Sequence, residues 1–532
     1  MRRKRRITLW GLLLLLVVGG GLASQSTSAA AATTTADRRV LIVYDAINPT
    51  VSGQKKLAAV QRLLASLNVK TQTERLSDYQ AGQLTTRRYQ GVVTLNNWEQ
   101  GRLHNAAFVR DRNRFTGRQL HIGSGLSAQE AHRLGATRQR VYHQQFVLHD
   151  GGNWQLLPFS TDLTLLNGLS RHTQTFGTLR TQGAGLAPHA YGVVHGKSAY
   201  LPYLTADGFS LTVASRTLAA LFGQSRTNRP LLTITGVTPY TNLARLRRLG
   251  QRLYQAGIPF AVSTTSVADN TTFRAFKRFA QTLSELETEN GVIFLQAPVV
   301  GATNRQSGQL LEQLMVGQLN QLGQRQVLPV GISAPAYWNQ DRAFRRHGLQ
   351  RATNVLLLPN PATTTFAKQD NLGTTFTQTW YGLPLRSLQT VENGHHAPGD
   401  LSWAVPTALT VPMPDSAKGL TATLKQVTGL TTRWYDPSQQ LTSRLTSASA
   451  TFRYDHGSYF LNGREIDVGN STVALPRFNP RRKNHVALKG YFQVQGWILW
   501  IFFTIVLVIL VIFIILGRRI YRRMFFQNSK RR

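Results

Sequence analysis

The stretch LLTITGVTPYTNLARLRRLGQRLYQAGIPFAV (231–262) decides the fold. Its apolar opening leads into a turn, then a helix, then a second apolar strand. Within the helix, residues 242–257, Leu243, Leu246, Leu249 and Leu253 recur at helical spacing and mark one buried face, with Gly257 as the stop. Strand, turn, helix and strand together make the unit from which a (β/α) barrel is built. Such barrels place catalytic carboxylates in the turn after a strand. Here that turn reads Thr235-Gly236-Val237-Thr238-Pro239, with no acid in it. Either the chemistry stands elsewhere or the barrel has lost it.

The alternation continues downstream. A helix is expected over 272–289, a strand over 291–301, a helix over 307–323 and strands within 326–338 and 351–359, before a last strand–helix pair in 408–430. The barrel is thus expected to occupy 228–440, followed by a small β module at 445–490. Upstream, the apolar run Val40 to Tyr44 suits a buried parallel strand. Leu57, Val60, Leu63, Leu64 and Leu67 then follow at helical spacing, with further strands near Val69, in 89–97 and in 117–127. Strands alternating with helices over 37–139 imply a doubly wound α/β domain, which resembles flavodoxin or glutamine-amidotransferase folds. Over 140–226 the pattern shifts to a β-rich extension, with a hairpin at 191–204 turning at His195-Gly196 and another strand at 206–215.

Both ends carry membrane signals. Residues 1–32 combine a basic start, an apolar run and small residues near Ala30, as in a secretory signal peptide; an uncleaved anchor is the alternative. Residues 496–517 are uncharged and long enough to cross a bilayer, with Trp497 and Trp500 at an interfacial position. The basic tail, 518–532, belongs in the cytoplasm by the positive-inside rule, which puts 37–495 outside the cell membrane.

The 532-residue chain has no cysteine, which excludes disulfides and thiol catalysis and suits a Gram-positive surface. Setting aside the five basic residues of 1–6 and the seven of 518–532 leaves 49 Lys and Arg against 24 acids, about +25 for the remainder. The compartment argues against nucleic acid as the polyanion. Teichoic acid, anionic lipid or an acidic glycan fits better.

Residues 229–430 resemble the polysaccharide deacetylase superfamily, and most closely its membrane-associated branch, in which an α/β domain precedes the barrel. The quoted stretch is similar to that branch's opening, where an Asp-Asp pair stands before Val-Ser-Pro-Tyr. The resemblance implies metal-assisted amide hydrolysis, with an Asp base and an Asp and two His on a divalent metal such as zinc. It places the Asp pair at Thr235 and Gly236, the two His at Gln296 and Val300, a further His at Ala336 and the late acid at Met413. Each has lost the group the reaction needs, so no catalytic residue and no cofactor are expected.

Other constellations carry weaker signals. ENGHHAPGD (392–400) gathers Glu392, His395, His396 and Asp400, a replacement metal site if the ligands have moved. Asp45 ends the first strand, where α/β domains bind ligands or simply turn. Ser124 follows a strand, without the G-x-S-x-G context of a nucleophile. Trp338, Trp380, Tyr381 and Trp403, with Trp434, are expected to supply sugar-stacking faces or core. The leading expectation is a pseudoenzyme of the cell surface that binds glycan or serves as scaffold in exopolysaccharide biosynthesis or export. Its partners would be cell-envelope polysaccharide and a membrane glycosyltransferase, since members of the branch accompany such enzymes. The alternatives are an active deacetylase with relocated ligands and a basic adhesion protein on anionic wall polymer.

Overall fold

The computed structural model describes residues 39–45, 51–97, 104–181, 187–224, 226–300, 305–361, 369–371, 373, 375–388, 401–468 and 489–526. The chain divides into two units, 1–471 and 472–532.

The first unit opens with β1 (Arg39–Tyr44), α1 (Val51–Ser66), β2 (Lys70–Arg75) and β3 (Gly91–Asn96). It continues with α2 (Ala106–Arg114), β4 (Arg118–Gly123), α3 (Ala128–Arg133), β5 (Thr137–Gln144), β6 (Phe146–Asp150) and β7 (Asn153–Leu156). Then come β8 (Ser160–Asn167), β9 (Gln174–Thr181), β10 (His189–His195), β11 (Ser198–Leu201) and α4 (Gly208–Leu221). The four central residues of β1, Val40 to Val43, are buried because helices cover both faces of its sheet.

Two sequence expectations are corrected here. The boundary at 139/140 does not divide the sheet. β11 lies parallel to β4, through pairs such as Tyr200 with His121, and β10, β9, β6 and β7 extend the same sheet antiparallel. Only β5 and β8 stand apart as a two-stranded sheet. The second correction concerns 206–215, which is helix α4 rather than a strand. Its residues are buried nearly all round, so their pattern has no exposed face to betray a helical period. The 191–204 hairpin is present, with β10 and β11 antiparallel.

The barrel follows as β12 (Leu231–Val237), α5 (Leu243–Gln255), β13 (Phe260–Thr264), α6 (Arg274–Thr288), β14 (Gly291–Gln296), α7 (Arg305–Gly323) and β15 (Gly331–Pro335). After α8 (Arg342–His347) come β16 (Asn354–Leu358), β17 (Gln369–Asp370), β18 (Gln378–Pro384), β19 (Thr407–Pro412) and α9 (Ala417–Thr428). Seven parallel strands close the barrel in the order β12-β13-β14-β15-β16-β18-β19, with β19 pairing back onto β12. Helix α5 forms as its sequence suggests. Asn242 caps it by accepting the Arg245 N–H at 3.0 Å, and Leu246, Leu249 and Leu253 are buried. The chain leaves through Gly257 at φ +66°, while Ile258 N–H reaches back to Leu253 O at 2.9 Å.

The barrel and the sheet are packed together. β17, an excursion between β16 and β18, pairs antiparallel with the edge strand β2. Buried Arg62 of α1 donates to Gly382 O of β18 at 2.5 Å and lies over the Tyr381 ring at 5.7 Å from its centroid. Burial pulls its guanidinium down to about 10, against the pull of Tyr381 and Asp207.

After α10 (Pro437–Gln440), β20 (Thr442–Thr446), β21 (Thr451–Asp455), β22 (Ser458–Leu461) and β23 (Arg464–Ile466) form an antiparallel sheet. It packs against the N-terminal ends of the barrel strands. Asn354, the first residue of β16, donates to Thr442 O at 2.7 Å, and Tyr459 Oη donates to Gly291 O, at the start of β14, at 3.4 Å. Leu445, Phe452, Tyr454 and Tyr459 are buried there, so this module shares the barrel's core.

The second unit contains α11 (Lys489–Phe526), in which Gln495–Arg522, with a peak mean hydropathy of 3.5, is long and apolar enough to cross a membrane.

Candidate functional site

Alternation along parallel strands sends every second residue into the barrel. Register puts Thr233 beside Ala261 and Thr410, Ser263 beside Phe294, and Gln296 beside Ser333. The Ser263 and Ser333 hydroxyls meet at 2.7 Å inside the buried interior. At the C-terminal mouth, Met413 N–H donates to Thr235 O at 2.7 Å and Thr235 Oγ1 donates to Val411 O at 3.3 Å. Gly236 follows at φ +75° in a β-bulge between Ile234 and Val237. Thr264 Oγ1 and Thr265 N–H fasten that bulge by donating to Val237 O at 3.1 and 3.0 Å.

The mouth thus gathers positions that the sequence reading singled out. Thr235 and Gly236 lie on β12, Gln296 ends β14, buried Ala336 follows β15 and half-buried Met413 follows β19. Val300 lies beyond β14, half-buried against the core. A divalent metal asks for about three carboxylate or imidazole ligands. Hydroxyl, amide and alkyl groups at these positions do not fit one. The final residues of the seven barrel strands, Val237, Thr264, Gln296, Pro335, Leu358, Pro384 and Pro412, include no carboxylate and no imidazole. Among the described residues no three His, Cys, Asp or Glu side chains group as a metal site. Glu392, His395, His396 and Asp400 lie outside the described residues.

The expected stacking residues are corrected. Trp338, Trp380, Tyr381 and Trp403 are only 2 %, 0 %, 1 % and 4 % exposed, too little to offer a ring face to sugar. Trp338 stacks on Phe344 at 4.4 Å, and Trp380 meets Phe294 and Tyr435 edge-on, both at 5.7 Å. Tyr381 faces outward beneath Arg62, and Trp403 accepts the Asn228 N–H through its carbonyl at 2.7 Å. Large rings at such enclosed positions fill the space between layers, as these do.

At the N-terminal sheet, Asp45 plays a turn role, accepting the Asn97 N–H at 3.0 Å and donating its own N–H to Leu95 O at 3.2 Å. Ser124 is buried, and its carbonyl lies 2.7 Å from His121 Nε2. The other ring nitrogen, Nδ1, lies 2.9 Å from the Glu130 carboxylate, which also meets Arg112 at 3.0 Å. Both His121 nitrogens thus face oxygens, one of Glu130 and one of Ser124. Burial would raise Glu130, but His121, Arg112 and the Ser127 N–H outweigh it and hold the carboxyl down to about 2. The cluster ties α2, β4 and α3 together. Its sequence signal is the capping box formed by Ser127 and Glu130, realised in full.

The opposite end of the barrel holds an open cleft of about 500 Å³. It is lined by the exposed side chains of Arg229 and Arg433, by half-buried Trp434, and by Thr432, Asp436 and Gln439. Its floor is the exit of α5 at Ala256-Gly257 and the last turn of α9 at Val427-Thr428. Sequence reasoning named Trp434 but not the cleft around it; the signal is TTRWYD (431–436), where Arg433 precedes Trp434 and Asp436 follows two positions on. Compared with known proteins, the chain matches no protein-family model and no curated relative.

Proposed function

We propose that this protein is a non-catalytic, membrane-tethered subunit that binds or scaffolds a cell-envelope polysaccharide during its synthesis or export. The observation that carries the reading is the closed seven-stranded parallel barrel whose strand ends bear no carboxylate or imidazole. A deacetylase-like barrel keeps its shape through buried strands and helices, and needs its ligands only for the reaction. The resemblance of 229–430 to the polysaccharide deacetylase superfamily supplies the glycan and the glycosyltransferase partner. The parallel order β2-β1-β3-β4-β11 supports a flavodoxin- or amidotransferase-like reading of the N-terminal domain. The apolar α11 supports single-pass anchoring, and the basic tail supports a cytoplasmic C-terminus with 37–495 outside. Glycan crosslinking and affinity recovery with the full-length chain test the reading. The expected result is recovery of envelope polysaccharide or its synthase; recovery of neither contradicts it.

A further inference from the structure

We propose that the cleft between Arg229, Arg433 and Trp434 is a saccharide site for an acidic glycan, one whose sugar units carry a carboxylate or a phosphate. The assignment rests on the glycan-binding reading above and gives it a location and a ligand class.

Three features converge there. The first is unused positive charge: among the described residues, neither Arg229 nor Arg433 has a hydrogen bond or a carboxylate partner. The wall also holds one carboxylate, Asp436, which pairs with neither arginine and whose Oδ1 accepts from Ser438 N–H at 3.0 Å and from Ser438 Oγ at 2.7 Å. Guanidinium groups match carboxylate and phosphate with paired donors. The second feature is an aromatic wall. Trp434 packs against the core yet remains half-exposed on the cleft, unlike the buried Trp338, Trp380 and Trp403. The third is a pair of neutral polar side chains in the wall, Thr432 and Gln439, whose hydroxyl and amide suit sugar hydroxyls.

No simpler ligand uses all three. A bare anion has no use for an indole face, and a neutral sugar leaves two guanidinium groups unmatched. A sugar with an acidic substituent stacks its ring on Trp434, sets its hydroxyls against Thr432 and Gln439 and turns its charge to the arginines. The surplus of about +25 outside the span steers such a polymer toward the protein, an effect that salt weakens.

The test uses the full-length chain in nanodiscs of zwitterionic lipid, titrated with four probes. These are a glucuronate-containing oligosaccharide, a sugar-phosphate oligosaccharide, a neutral chito-oligosaccharide and a short poly(glycerol phosphate), which has charge but no ring. At least one acidic oligosaccharide is expected to bind about tenfold more tightly than the neutral one; which one identifies the anionic group. W434A and the double variant R229Q/R433Q are each expected to weaken that binding about tenfold, while W434F retains most of it. Poly(glycerol phosphate) binding as tightly as either oligosaccharide, indifferent to W434A, would overturn the saccharide assignment. So would unchanged affinity in R229Q/R433Q, whose exposed side chains can change without disturbing the core. Crosslinking to whole envelope glycan separates the two levels. If the wild type recovers glycan and a chain carrying R229Q, R433Q and W434A together recovers as much, the cleft is wrong and the scaffold reading stands. If the wild type recovers neither glycan nor synthase, the scaffold reading itself fails.

Discussion

The two ends of the barrel are built on opposite principles. At the C-terminal mouth, Thr235, Gln296 and Met413 stand where barrels keep their reacting groups, and hydroxyls such as Thr235 Oγ1 and Thr264 Oγ1 are spent on neighbouring backbone carbonyls. At the other end, one half is sealed by β20–β23, while the other half lies open between Arg229, Arg433 and Trp434. Polar groups at the mouth serve the fold, whereas the guanidinium groups at the base serve nothing within the described chain. The difference teaches that one barrel can use the polar groups of one end internally and leave the cations of the other without partners among the described residues.

The sealed half is where the contrast breaks most visibly. Phe452 is buried against the end of α7, where a Cβ on Gly323 would come within 3.0 Å of its ring. F452A is expected to lower unfolding free energy by about 3–5 kcal/mol, measured by denaturant titration of the full chain, because a large ring leaves a void. R229Q/R433Q should leave the same titration unchanged, since surface substitutions are nearly neutral.

A smaller effect is expected inside the barrel. S263A leaves the Ser333 hydroxyl without its 2.7 Å partner and should cost about 1–3 kcal/mol. The double variant S263A/S333A should recover part of that loss, because both polar groups are then gone. A double variant as unstable as the sum of the singles would mean that packing, rather than the hydroxyl pair, sets the cost.

The smallest effect reverses sign. Burial at the end of α6 pushes the Glu287 carboxyl well above its ordinary value, against the one hydrogen bond it accepts, from Leu328 N–H at 3.0 Å. The folded chain therefore keeps a proton that the unfolded chain releases. Stability from this group is full below the ordinary carboxyl range and is lost as pH rises toward the folded value. E287Q, which keeps the acceptor for Leu328, should raise stability at neutral pH by about 1 kcal/mol and flatten its decline above pH 5. A melting temperature that falls at neutral pH would contradict this.

Much of the architecture was legible because it is local. Leu246, Leu249 and Leu253 repeat at helical spacing, Asn242 and Gly257 punctuate α5, and the apolar β1 announces a covered strand. The pairing of β11 with β4 was not legible, since it joins residues some eighty positions apart through backbone bonds that carry no local pattern. Helix α4 was misread because Phe209, Leu211, Val213 and Leu218 are all enclosed, and an enclosed helix shows no alternation of exposure. Four of the five candidate aromatics are enclosed, and sequence did not tell them from Trp434, because residue type does not say on which side of a layer a ring lies. Trp434 differs from Trp380 only in where the chain carries it.

The central claim is that the barrel holds no catalytic metal, and zinc content tests it most directly. The full-length chain is loaded with zinc, desalted and assayed by elemental analysis. Well under one equivalent of metal per chain is the predicted result, because the mouth presents Thr235, Gly236, Gln296 and Val300 where ligands are required. One tightly held zinc per chain, lost in a variant with His395→Ala and His396→Ala, would contradict the account and restore a hydrolase with its ligands moved to residues 392–400.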